Sequence, residues 1–299
     1  MSLDYYAFEL KPFTRLVLKT NSKYSHDDLR LLANEYYEAE IKTVAEGLRK
    51  CATVHITSLD LWNKLNLIEK HNLVFVPILV TAVIRGFAHK FYQPRPNEPY
   101  SVFGVVARDY STAREFKKAF EMRDDIKMGE LLGYPKCCTK FFAETWYKCY
   151  DPIYHIAVNT EGHRKIGKYE VLVEDFYPEC NILLRYAGIR AVPHFVCSFK
   201  CKQSKELGEQ FTSFITHRNQ LYNILSTPMS WDCFKGVAIV YTRDFELVVN
   251  SVPYKEKHVV HLKSDESYPI IRRPKVIELI KSYVEKELKR LSSEQEIVM

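Results

Sequence analysis

Residues 73–83 read Leu-Val-Phe-Val-Pro-Ile-Leu-Val-Thr-Ala-Val. The run is mostly apolar and rich in β-branched side chains, the composition of a strand buried on both faces. Pro77 argues against a central place in a sheet, because it has no N–H to give to a ladder. On the N-terminal side, Ala52 to Ile56 reads as a second strand, and Thr57 or Ser58 caps a helix running through Glu69. Before it, Leu29, Leu32, Ala33, Tyr36, Ala39, Ile41 and Val44 recur near the helical period. They predict a helix over Ser25 to Lys50, capped by Ser25 or Asp27. On the C-terminal side, Gln93 to Pro99 holds three prolines in seven positions and reads as a loop. Ser101 to Ala107 is a further strand, and Ser111 caps a helix carrying Phe116, Ala119 and Phe120. This alternation predicts an N-terminal α/β region over residues 1–124.

Residues 125–299 read as a cysteine-bearing α/β domain. Ile126 to Leu132 is a short helix stopped by Gly133, and Pro135 suits the first turn of the next helix. Phe141, Phe142, Thr145, Trp146 and Cys149 give that helix an apolar face. Tyr169 to Val173 predicts a strand, Asn181 to Tyr186 a helix ended by Gly188, and Ile189 to Val192 a strand leading into Pro193-His194. The apolar positions from Leu207 to Leu225 predict one long helix. Val237 to Tyr241 and Phe245 to Asn250 flank Thr242-Arg243-Asp244 as a small antiparallel hairpin, to which His258 to Leu262 adds a third strand. Pro274 opens a C-terminal amphipathic helix. The fold class expected is mixed α/β.

Hydrophobic residues make up 46% of the 299, enough for a packed core to offset the chain entropy lost on folding. The net charge is +6, from 43 basic and 37 acidic residues. That balance tolerates an anionic partner, nucleic acid included, without demanding one. Met1 to Thr20 carries Asp4, Glu9 and Lys11, unlike a signal peptide, and the apolar run from Leu73 to Ile84 is far too short to cross a bilayer. The expectation is a cytoplasmic chain with no membrane partner. Its eight cysteines are then thiols or metal ligands rather than disulfides.

Two cysteine clusters carry the chemistry: Gly133-Tyr-Pro-Lys-Cys137-Cys138, and Pro193-His194-Phe-Val-Cys197-Ser-Phe-Lys-Cys201. Each lies where the chain enters a helix. Free N–H groups and the positive helix end favour the thiolate there, and Lys136, Lys200 and Lys202 act in the same sense. Thiolates are the form that binds soft metals. If a helix begins by Ser198, Cys197 and Cys201 share a face; if it begins at Ser204, they lie in a turn that wraps a metal. Neighbours on a helix point about 100° apart, so Cys137 and Cys138 reach one centre only from an irregular first turn. His194 is a fifth candidate, as ligand or as hydrogen-bond partner to a ligand sulfur.

The spacing, CC and CxxxC, differs from that of small zinc modules, so an iron–sulfur cluster leads and zinc is the alternative; redox thiols or plain burial complete the set. Cys51, Cys149, Cys180 and Cys233 read as core. Asn181 and Arg185 are candidate substrate-binding residues, Arg185 through its planar fork for a carboxylate or phosphate. Ser198 and Ser204 read as helix caps, with Ser204 also able to bond a sulfur. His155, His163, Arg164 and Lys165 read as a solvated basic loop. Arg85, His89, Lys90, Tyr92 and Arg95 interleave basic and aromatic residues, a pattern that also suits a nucleotide or RNA. Neither GxGxxG nor GxxxxGK[ST] occurs, which excludes the usual nucleotide cradles; GxSxG and CxxxCxxC are absent too. The functional expectation is a metalloprotein with an iron–sulfur cluster serving redox or sulfur chemistry, with a small anionic substrate or a redox partner. The alternative is a zinc-stabilised RNA- or nucleotide-binding protein.

The stretch Gly133-Tyr-Pro-Lys-Cys-Cys138, Phe141-Phe142, Asn181-Ile-Leu-Leu-Arg185, Gly188-Ile-Arg190 and Pro193-His-Phe-Val-Cys-Ser-Phe-Lys-Cys201 with Ser204 resembles an archaeal protein family of unknown function. That family carries GYPxCC and PHxxCSxxC motifs. The resemblance covers Glu130 to Leu207. It implies an archaeal source and a shared cysteine-rich site, and it supplies no reaction.

Overall fold

Ser25 opens the first long helix, α1 (His26–Ala45), with a capping box: its Oγ accepts the Asp28 N–H at 3.1 Å, and the Asp28 carboxylate accepts the Ser25 N–H at 2.7 Å. The computed structural model describes residues 16–19, 23–83, 93–94, 96–97, 99–146, 151–234, 237–250 and 256–263. Arg85, His89, Lys90, Tyr92 and Arg95, with Cys149 and the helix expected from Pro274, lie outside them. α1 serves two cores. Leu29, Leu32, Tyr36 and Ala39 enter a large one shared with the cysteine-bearing half, while Ile41 and Val44 enter a smaller one against a three-stranded sheet.

That sheet holds β2 (Cys51–Thr57), β3 (Val74–Ala82) and β4 (Tyr100–Ala107), all antiparallel, with β4 at the centre. The stretch at 73–83 is therefore an edge strand and mostly half-buried, not the doubly buried strand its composition suggests. Pro77 is the reason: an edge tolerates its missing N–H, and the register slips between Pro77 and Leu79. Two helices flank the sheet, α2 (Leu61–Lys70) and α3 (Tyr110–Glu121). Asp60 and Asp109 occupy their N-cap positions, in place of Thr57 or Ser58 and of Ser111.

The chain then forms α4 (Asp125–Leu131), α5 (Lys136–Thr145) and α6 (Pro152–Val158) before entering a seven-stranded sheet. Its order is β1-β9-β8-β7-β10-β6-β5. The strands are β1 (Leu16–Lys19), β5 (Arg164–Gly167), β6 (Glu170–Val173), β7 (Met229–Phe234), β8 (Val237–Thr242), β9 (Phe245–Asn250) and β10 (His258–Leu262). The expected hairpin is β8–β9, closed by Thr242, whose Oγ1 accepts the N–H groups of Asp244 and Phe245 at 3.1 and 2.9 Å. β10 does not extend the hairpin. It pairs with β7 antiparallel and with β6 parallel. Of the residues read as a solvated basic loop, Arg164 and Lys165 open edge strand β5, His163 lies in the turn just before it, and His155 is in α6. Two elements cross the division drawn at residue 124: β1 pairs with β9, and α1 contributes to both cores. The class is mixed α/β.

Asn181 to Tyr186 forms no α-helix. One short 3₁₀ turn, Pro178–Cys180, precedes it and another, Arg185–Ala187, takes up its last two residues. The Asn181 carboxamide competes for backbone groups: Oδ1 accepts the Leu183 N–H at 3.2 Å and Nδ2 donates to the Leu225 carbonyl at 2.7 Å. Ile189 to Val192 is buried irregular chain rather than a strand. The helix expected over 207–225 is two, α7 (Lys202–Thr212) and α8 (Arg218–Leu225). Between them Ile215 still packs in the core, so the apolar period runs on through a turn.

Candidate metal centre

Gly133 takes φ +70°, a left-handed conformation that ends α4 at no steric cost. Pro135 follows as the N-cap of α5, one place earlier than expected. Cys137 and Cys138 are thus the second and third residues of that helix. Its first turn is irregular, since the Cys138 N–H and the Thr139 N–H both reach the Pro135 carbonyl, at 2.9 and 3.0 Å. This tightening lets neighbouring cysteines converge, with sulfurs 3.9 Å apart.

The second segment is held from behind by the residues that follow α6. Asn159 Nδ2 donates to the Cys197 carbonyl at 2.7 Å, and Thr160 Oγ1 accepts the Phe199 N–H at 2.9 Å. Cys197 to Cys201 forms a turn, and α7 begins only at Lys202 with Cys201 as its N-cap. Of the two arrangements weighed for this pair, the wrapping turn is the one found. Ser198 Oγ accepts the Lys200 N–H at 3.0 Å, and neither it nor Ser204 is a helix cap. Lys200 Nζ pairs with Asp175 at 2.6 Å, which takes up its charge.

The four sulfurs meet. Cys201 Sγ lies 3.8 Å from Cys137 Sγ and 3.7 Å from Cys138 Sγ, and no two of the four, Cys197 included, are more than 4.8 Å apart. Cys138 is the inner corner. It is 1% exposed, accepts the Cys197 N–H at 3.3 Å, and lies 3.2 Å from Ser204 Oγ. Cys137 is the outer corner, exposed, its thiol donating to Gln203 Oε1 at 3.5 Å. Four thiols in this span do not all ionise together. Hydrogen bonding from the Cys138 and Cys197 thiols and from Ser204 drives the Cys201 thiol strongly down. Its neighbours move the other way: Cys138 is driven far up by the Cys197 and Cys201 thiols and by burial, and Cys197 rises to about 12. A bound cation removes this conflict by charge, and the donor set suits a soft or borderline metal. These four cysteines can hold a metal ion.

His194 reaches this group indirectly. Its Nε2 lies 2.8 Å from Ser204 Oγ, so the serine stands between the ring and Cys138 and the histidine is not among the four converging donors. Burial holds its pKa down at about 3, keeping the ring neutral. Asn181 is fully buried with its amide spent on Leu225 and Leu183; the structure brings it to the core, not to the sulfurs. Arg185 stacks its guanidinium 4.1 Å from the centroid of Phe195 and lines a cavity of about 430 Å³. Cys138 and His194 line it too, so the cavity abuts the sulfur group. Asn159, Thr160 and Ser204 position the site without a motif of their own; of these only Ser204 carried a signal, its place three residues after Cys201. Cys51, Cys180 and Cys233 are buried as expected.

No family model, curated protein or solved structure matches the chain. No helix among the described residues is long and apolar enough to cross a membrane.

Proposed function

We propose that this protein holds one zinc ion between Cys137, Cys138, Cys197 and Cys201, and that the ion clasps two distant segments to shape the neighbouring cavity. The spacing of the sulfurs carries the reading. A tetrahedral ion with metal–sulfur bonds of about 2.3 Å sets its sulfurs about 3.8 Å apart. Three of the six pairs here measure 3.7, 3.8 and 3.9 Å, and all lie within 4.8 Å. An iron–sulfur cluster interposes irons and sulfides between its thiolates and spreads at least some pairs beyond what one ion spans. The cluster expected from sequence therefore needs a wider cage than this one.

A closed four-thiolate site is the arrangement of a structural ion, with no open position for substrate. Its surroundings agree. The Cys197 N–H and Ser204 Oγ both address the Cys138 sulfur, the outer contacts that orient and stabilise a ligating thiolate. The clasped segments also supply Thr139, Phe142, His194 and Phe195 to the cavity wall.

Elemental analysis and absorption of anaerobically purified protein test this. The expected result is one zinc per chain, a colourless solution and no acid-labile sulfide; cobalt exchanged into the site gives the intense visible bands of a tetrahedral thiolate complex. A brown protein containing iron and sulfide overturns it.

A further inference from the structure

The seven-stranded sheet has two faces of different character. Trp231, Val260 and Leu262 point from β7 and β10 into the core shared with the cysteines. The residues that alternate with them point the other way. Ser230 on β7 and His261 on β10 are direct cross-strand partners, and His261 is partnered in turn by Leu172 on β6. Glu170, two residues before Leu172, lies on that same face. Three neighbouring strands thus bring together a serine, a histidine and a carboxylate on the side of the sheet away from the metal centre.

Their polar atoms form a chain. Ser230 Oγ lies 2.6 Å from His261 Nδ1, and His261 Nε2 lies 2.9 Å from Glu170 Oε1. An ionised carboxylate only accepts, so the ring proton of a neutral His261 sits on Nε2, and Nδ1 accepts from the Ser230 hydroxyl. A weak hydroxyl becomes a nucleophile through such an arrangement: a base within hydrogen-bond reach, and a third group that fixes the base. His261 is only 4% exposed, which holds the ring in place. Ser230 is half-buried and the Glu170 side chain is 23% exposed, so neither end of the chain is sealed. Asp232, on the same face two residues beyond Ser230, is taken up by Lys257 at 2.6 Å and leaves the orienting part to Glu170.

The register also sets the surroundings of the serine. Tyr241 is its partner on β8, and Leu172, Val259 and Ile239 belong to the same face. An apolar acyl chain suits these neighbours, whereas a charged one loses its water against them. No sharp elbow presents this serine; it sits inside a strand, and the pairing of β7 with β10 aims it at its base.

We propose that Ser230 is a nucleophile for acyl transfer, with His261 as its general base and Glu170 as the residue that positions His261, acting on small esters of uncharged, apolar acyl groups. Ser230 Oγ attacks the ester carbonyl while its proton passes to His261 Nδ1. The bond from the acyl carbon to the alcohol oxygen then breaks, and the alcohol leaves with that proton. Water follows the same path: it gives a proton to Nδ1 and its oxygen to the acyl carbon, and the proton returns to Ser230 Oγ as the acid departs. No further reactant enters, and nothing in the step rests on the ion at the cysteines.

Labelling of the intact protein with diisopropyl fluorophosphate tests this. The reagent forms a bond from Ser230 Oγ to phosphorus as fluoride leaves, and mass spectrometry of the digested protein locates the adduct. The expected result is a single adduct, at Ser230, together with a burst of p-nitrophenolate from p-nitrophenyl butyrate that the p-nitrophenyl hemisuccinate ester does not give. His261→Gln is expected to lower the labelling rate by about a hundredfold or more. Glu170→Gln keeps the size of the side chain but can donate its amide N–H to Nε2, which puts the ring proton on Nδ1 against the serine. A drop of about tenfold or more at unchanged Tm is expected from it. No adduct at Ser230, or labelling that both variants leave unchanged, overturns the proposal and makes the three residues a bond network that ties β7 and β6 to β10. Equal bursts from the two esters overturn the acyl preference.

Discussion

The Sγ atoms of Cys138 and Cys201 lie 3.7 Å apart although 63 residues separate them in the chain. An ion shared by these sulfurs closes a loop that the unfolded chain cannot hold closed, so its binding free energy becomes folding free energy. An ion present at a thousand times its dissociation constant stabilises by about 4 kcal/mol. A domain of this general size shifts its melting point by roughly 2–4 °C per kcal/mol. Removing the ion with a chelator under reducing conditions is therefore expected to lower Tm by about 10 °C, and returning zinc restores it. Scanning calorimetry before and after chelation checks this; an unchanged Tm means that no ion joins the two segments.

The four cysteines are not equivalent. Cys138 is buried among Cys137, Cys201, Ser204 and the Cys197 N–H, whereas Cys137 faces solvent. Water can take the place of an outer ligand but not an inner one. Cys137→Ser is expected to keep close to one ion per chain with weaker hold. Cys138→Ser is expected to lose the ion and to drop Tm nearly as far as chelation does. Metal retained after dialysis against a graded chelator series separates the two, and equal losses from both variants would sink the inner–outer distinction.

Local signals in the sequence located much of this, and long-range ones did not. Ser25 announces α1 because a cap acts locally: its Oγ reaches an N–H only three residues on, that of Asp28. The thiols at helix starts were legible for the same reason. Strand β7 was not, since its apolar pattern is interrupted by Asp232, which is buried yet paired with Lys257 at 2.6 Å. The break between α7 and α8 was hidden because periodicity reports burial, and Ile215 stays buried in the turn. There His217 leaves the helical path to bond the Glu35 carboxylate through its backbone N–H at 3.0 Å and its ring at 2.7 Å. The anchoring of Cys197 by Asn159 exists only across 38 residues of intervening chain, where no spacing rule reaches.

Asp151 ties the large sheet to the helix that leads into the site. It is fully buried; one carboxylate oxygen caps α6 by accepting the Ile153 N–H at 3.0 Å, and the other accepts the Trp231 indole N–H at 3.0 Å. Asp151→Ala removes the cap and strands the indole N–H in the core, an expected cost of about 3 kcal/mol. Asn159 and Thr160 follow the same helix, so the turn at Cys197 loosens and metal retention falls with stability. Asp151→Asn keeps an acceptor and is expected to lose less. Denaturant unfolding with the slope held as a control checks the order; an alanine variant as stable as the parent refutes it.

Gly129 carries packing directly into the metal centre. A Cβ built there lies 2.4 Å from both Cγ2 and Oγ1 of Thr139 and 3.0 Å from its Cβ. These are the residues across which α4 meets α5, and Thr139 follows Cys138 immediately. Gly129→Ala must push α5 away, at an expected cost of about 1–3 kcal/mol, and the displacement carries Cys137 and Cys138 off Cys201 and Cys197. The variant is thus expected to bind metal more weakly as well as to melt earlier. Adding Thr139→Ala removes the two atoms at 2.4 Å and keeps the milder contact at 3.0 Å, so the double variant should recover most of both losses. Thr139→Ala alone gives up its hydrogen bond to the Pro135 carbonyl, 3.3 Å long, and is expected to cost under about 1.5 kcal/mol. The four-way comparison is a double-mutant cycle, and a large favourable coupling is the expected outcome. Simple additivity would mean that α5 is not displaced by the clash, and the link from this glycine to the sulfurs would fail.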